Sequence, residues 1–118
     1  MRMWMLDPKI LCKDHLYGEH FELHKLLGAI HAGNNKKNEL HARIEKGQID
    51  PHRLKERHDR LVEEAARRGY PMGDDHGSPI QQPDTEHLPE ADIDKAENLR
   101  DLGSRCIDCF CRCNLSNP

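Results

Sequence analysis

The stretch HLYGEHFEL, residues 15 to 23, places two carboxylates and two histidines within nine positions, just behind the apolar start MRMWML. On a helix, His15, Glu19 and Glu22 fall within an arc of roughly 60°, and His20, His24 and His31 share another arc beyond a leucine stripe. Two readings are open. The groups are solvated flanks of an amphipathic helix, or they are the carboxylate and imidazole components of a site. The pairs His15/Glu19 and His20/His24, four residues apart, also suit a metal ion. Neither pair has the HExxH order or a third ligand at recognisable spacing.

A second constellation lies in IDPHRLKERHDRLVEEAARRG. Arg53, Arg57, Arg60, Arg67 and Arg68 project within roughly 100° of one another, interrupted mainly by Glu64, while Glu56, Asp59 and Glu63 take the other side. Guanidinium forks match phosphate oxygens, so this stripe is either a nucleic-acid backbone contact or a solvated face of internal ion pairs. Lys36 and Lys37 extend it, and Arg2, Lys9 and Lys25 add positive charge near the first long helix.

Five cysteines, an odd number, argue against a closed disulfide framework. Cys106, Cys109, Cys111 and Cys113 have the ligand count for zinc, but the tight CxCxC spacing is awkward for a structural site, where two knuckles separated by a longer loop are usual. Free thiols or a redox-sensitive cluster are the competing reading. Cys12 stands alone and reads as a small buried apolar residue.

The elements that position these groups are helices. Asp7 and Pro8 form an N-cap and first helical position, and Asp14 is a second cap candidate. The helix from about His15 to Ala32 carries Leu16, Leu23, Leu27 and Ile30 on one stripe, and Gly33-Asn34-Asn35 stops it. Residues 34–49 are either a short helix or a polar connector. Asp50 caps, Pro51 starts and Gly69 ends a second long helix with Leu54, His58, Leu61 and Ala65 inward. Residues 70–89, rich in proline and glycine, form a long irregular connection. A third helix, about 90–102, turns Ile93, Ala96 and Leu99 inward. The expected fold is all-α: one domain of three main helices, with a helical body over 1–104 and a Cys-rich tail over 105–118.

At 118 residues the chain supports one core. Aromatic residues make up only 4% of it, so leucine and isoleucine must carry the burial. The net charge of −3 hides an asymmetry, with 14 basic against 11 acidic residues up to position 70 and 4 against 10 beyond it. No apolar run spans a membrane, and the start lacks the pattern of a signal peptide, so a cytoplasmic protein without membrane contact is expected.

MRMWMLDP, HLYGEHFELHKLLGAI and RHDRLVEEAARRGYP, in that order, resemble the pyrimidine-dimer DNA glycosylases, the phage endonuclease V family. The resemblance covers roughly residues 1 to 72, and residues 85 to 102 weakly. It implies a compact three-helix enzyme with no cofactor that binds double-stranded DNA containing damaged bases. Such an enzyme excises the 5′ base of a pyrimidine dimer and nicks the strand by β-elimination. The nucleophile is the N-terminal α-amine, which maps to Met1 because the bulky Arg2 keeps the initiator methionine in place. Its partner glutamate maps to Glu22. Arg2, His15 and Lys25 map to residues lining the site, with the second-helix arginines on the DNA backbone. An α-amine with a pKa of about 8 is partly neutral at physiological pH and so competent as a nucleophile. Phe21 stands where the best-known members carry an arginine, and CIDCFCRC replaces their aromatic, basic C-terminal segment. The reading from a different class is a non-catalytic DNA- or protein-binding module with a metal- or redox-sensitive cysteine tail.

Overall fold

The computed structural model describes residues 2–32, 37–70 and 80–116. Within them the chain is helical, with no strand: α1 (Lys13–Ala32), α2 (Lys37–Glu45), α3 (Leu54–Arg67), α4 (Lys95–Arg105) and α5 (Ile107–Ser116), with 3-10 turns at Pro8–Ile10 and Pro51–Arg53. The all-α expectation holds, but two helices join the expected three. NELHARIEK is helical because Leu40 and Ile44, one turn apart, are both buried. The cysteine segment is helical too, packing on α4 and on the Pro8–Ile10 turn, with Cys109 in the core.

The apolar start is core. Met3, Trp4 and Leu6 are buried, the Met3 N–H donates to Gln48 O at 2.7 Å, and the Asp50 N–H points at the Met3 sulfur at 3.2 Å. The long helices α1 and α3 pack on each other, with Leu16, Leu23 and Leu26 of α1 and Leu54, Leu61 and Ala65 of α3 all buried in the core. The stripe on α3 is as expected, His58 included. On α1 Leu26 is fully buried where Leu27 is only partly so.

Caps differ from expectation where the chain doubles back. Asp7 accepts the Lys9 N–H as expected. Asp50 makes no cap bond; instead Gln82 accepts the Lys55 N–H at 3.0 Å and donates to Pro51 O at 2.8 Å. Thr85 and the Leu88 carbonyl bind the two ring nitrogens of His52 at 2.9 and 3.1 Å. The later part of the long connection, residues 80–90, is therefore docked on the start of α3. Gly33 and residues 71–79 lie outside the described residues.

On α4 the inward face is Asn98 and Leu102, not Ala96 and Leu99, which are exposed. The helix begins later than expected, at Lys95, and is capped by Asp94, whose carboxylate accepts the Glu97 N–H. Ile93, expected inward on this helix, precedes it and is half-buried. Gly47 makes the turn after α2 with φ of +70°, and a Cβ there would lie 2.8 Å from Asp92 O.

Candidate active site

A cleft of about 280 Å³ opens between the amino-terminal segment, the first turns of α1 and the end of α4. Arg2, His15 and Glu22, three of the residues mapped from the resemblance, all line it, with Trp4, Glu19 and Arg105. Each is held by its element. Arg2 is stacked 4.4 Å above the Trp4 ring, donates to Asp101 at 2.5 Å and to Asn98 at 2.6 Å, and its Nε is buried without a partner. Asn98 in turn donates to Trp4 O at 2.9 Å, so α4 grips both the backbone and the side chain of the amino-terminal segment. Asp101 also accepts from Arg105 at 2.9 Å, which sets two guanidinium groups on one carboxylate at the mouth of the cleft. His15 meets Trp4 edge to face, with ring centroids 6.3 Å apart.

The two carboxylates of α1 are separated in role by what they touch. Glu19 is buried and forms a two-pronged ion pair with Arg57 of α3, at 2.5 and 2.9 Å, while a third Arg57 nitrogen donates to Leu6 O. Glu22, one turn on, is half-buried in the cleft.

The arginine stripe of α3 does not form one open face. Arg57 is 2% exposed and satisfied inside the protein, which corrects its expected place among the DNA contacts. Arg68 pairs with Glu64 and donates to the Pro8 and Lys9 carbonyls, tying α3 to the first turn of the chain. Arg67 is exposed while bonded to Glu64 at 2.6 and 2.8 Å, and these two arginines hold the Glu64 carboxyl down to about 2, Arg67 foremost, against its partial burial. Arg53 and Arg60 are exposed, Arg53 beside Asp50 at 3.4 Å. Lys25 lies over the Phe21 ring and lines a separate recess with Ala29, Leu40 and Arg43, rather than the cleft that holds Glu22. Met1 and Lys36 lie outside the described residues.

Two clusters of possible metal ligands are also assembled. The His20/His24 pair gains a third imidazole, His58 of α3, with ring centroids 4.7 to 5.1 Å apart. The cysteine set is regrouped: Cys106 and Cys109 meet Cys12 and His15, while the exposed Cys111 and the half-buried Cys113 stand apart. Sequence reasoning missed Cys12 as a partner. The available signal was a pair of three-residue spacings, Cys12-x-x-His15 and Cys106-x-x-Cys109.

Fold and cleft together define a small all-helical protein in which the first long helix presents a carboxylate and an imidazole to the amino-terminal segment. Residues 1–76 match the pyrimidine dimer DNA glycosylases, and the chain belongs to that family. Its family is thus one of DNA-repair glycosylases whose substrate is DNA carrying pyrimidine dimers. No curated protein and no solved structure matches the chain.

Proposed function

We propose that the protein excises a base of a pyrimidine dimer and then cleaves the resulting abasic site as a lyase, through an imine on the Met1 α-amine. The supporting observation is the convergence of Arg2, His15 and Glu22 on one cleft, with Arg2 a single peptide bond from that amine. The neutral amine attacks C1′, the C1′–N bond breaks, and its electron pair leaves with the base. The Glu22 carboxylate faces the positive charge that develops on the sugar and stabilises it. Loss of the amine proton and ring opening give the imine. Removal of a C2′ proton, with Glu22 relaying it, expels the 3′ phosphate. Arg2 and Arg105 supply cationic hydrogen-bond donors for phosphate oxygens at the cleft, and Arg53, Arg60 and Arg67 are the exposed backbone contacts. To bring C1′ to the amine the duplex must be kinked or a nucleotide extruded.

Borohydride trapping tests this reading. Untagged protein with a free Met1 amine is incubated with UV-irradiated duplex and, separately, with an abasic duplex. A reduced covalent adduct with both, lost when the amine is acetylated, is expected. An adduct with the abasic duplex alone would keep the lyase and remove the dimer. No adduct with either, from folded and unformylated protein, would reject the imine mechanism.

A further inference from the structure

We propose that Cys12, His15, Cys106 and Cys109 form a tetrahedral zinc site that pins α5 to the start of α1. Their ligand atoms all lie within 4.8 Å of one another, although the two pairs are separated by some ninety residues of chain. With Zn–S of about 2.3 Å and Zn–N of about 2.0 Å, a regular tetrahedron has S···S edges near about 3.8 Å and S···N edges near about 3.5 Å. Cys12 Sγ lies 3.8 Å from Cys106 Sγ, and His15 Nδ1 lies 3.2 Å from Cys12 Sγ and 3.5 Å from Cys109 Sγ. Three of the six edges of a zinc tetrahedron are therefore already near their required lengths, and the other three lie within 4.8 Å.

Backbone donors face two of the sulfurs. The Cys12 N–H donates to Cys109 Sγ at 3.2 Å, and the Cys109 N–H donates to Cys106 Sγ at 3.4 Å. Backbone donors to sulfur are the outer-shell contacts that orient metal ligands. Cys12 directly precedes α1 and Cys106 directly precedes α5, so both knuckles sit at the positive ends of helix dipoles. Three soft sulfurs and one imidazole select zinc over oxygen-preferring cations.

Competing explanations fit less well. Four donors within 4.8 Å of one another are more than apolar packing of cysteine requires. A disulfide needs sulfurs at about 2.05 Å, and would leave the third thiol and the imidazole unexplained. Zinc here would also fix the ring of His15 beside the cleft. The proposal does not depend on the glycosylase chemistry, because its readouts use no DNA.

The test uses the full chain, reduced and stripped of metal, titrated with cobalt(II) and then with zinc(II). One equivalent of cobalt should give a thiolate-to-cobalt charge-transfer absorption and the intense visible bands of a tetrahedral ion. Zinc should displace the cobalt and raise Tm. Cys106→Ser and Cys109→Ser should each lose the charge-transfer absorption, while Cys111→Ser, Cys113→Ser and His24→Ala should keep it. Cys106 is only half-buried, so its serine variant gives a readout even if Cys109→Ser does not fold. Absence of thiolate absorption from the folded wild-type chain would overturn the proposal. So would its loss in Cys111→Ser or Cys113→Ser, which would mark a tail site, or cobalt binding abolished only by His24→Ala, which would mark the imidazole cluster.

Discussion

Arg57 of α3 holds Glu19 of α1 through two roughly parallel N–H···O bonds, of 2.5 and 2.9 Å, with both side chains out of contact with water. The same guanidinium also donates to Leu6 O, so one residue joins the two long helices to the amino-terminal segment. That segment carries Arg2 into the cleft. The ion pair is thus part of what holds the amino-terminal segment against the helix that carries Glu22.

Breaking that pair from one side leaves a buried charge without its counter-ion. Arg57→Ala should cost about 3–5 kcal/mol of unfolding free energy, measured by urea denaturation at neutral pH. Arg60→Ala, three residues on at an exposed position, should stay within about 0.5 kcal/mol of wild type. Equal losses in the two variants would refute the division of the α3 arginines into buried and exposed sets.

Glu22→Gln should leave folding and DNA binding near wild type but slow base release and strand cleavage by a factor of about 10² to 10⁴. Single-turnover rates on a dimer-containing duplex, alongside a binding titration, separate the two effects. A variant that loses binding and turnover in equal measure would place Glu22 in substrate binding rather than in the chemistry.

Acid stability should carry the signature of Glu64. Arg67 and Arg68 hold its carboxyl down to about 2, below its ordinary 4.5, so the folded state binds this proton less readily than the unfolded one. The stabilisation is fully present above about pH 4.5 and is lost as pH falls toward 2. Arg67 is largely exposed and screened by solvent, so the expected size is on the order of 1–2 kcal/mol. Urea unfolding of Glu64→Gln at a series of pH values should show lower stability at pH 7 and a shallower decline between pH 4.5 and 2. A decline as steep as that of wild type would assign the acid sensitivity elsewhere.

Gly47 faces two independent obstacles to a side chain, its φ of +70° and the Asp92 carbonyl 2.8 Å from where a Cβ would stand. Gly47→Ala should therefore destabilise by about 2 kcal/mol or more. Gly69, also at positive φ but with nothing within 4 Å of its Cβ position, should cost less on the same change. Thermal unfolding of the two variants distinguishes a close-contact cost from a purely conformational one.

Local chemistry in the sequence determined the helical class, the capped first turn at Asp7 and the inward stripe of α3, while the grouping of Arg2, His15 and Glu22 was implied by the family resemblance alone. The first three depend on periodicity and on capping residues, which act over a few residues along the chain. Tertiary structure decided the rest. Two carboxylates on one helix arc are equivalent until a partner arrives, and it is Arg57, 38 positions away from Glu19, that takes one into a buried ion pair while the other stays half-buried on the cleft wall. Arginines at helical spacing look alike until burial separates Arg57 and Arg68 from Arg60. Cys12 is a lone residue in sequence, and only the docking of α5 on the first turn brings Cys106 and Cys109 to it. Contacts between distant segments depend on which faces meet when the chain collapses, and no local pattern encodes that choice.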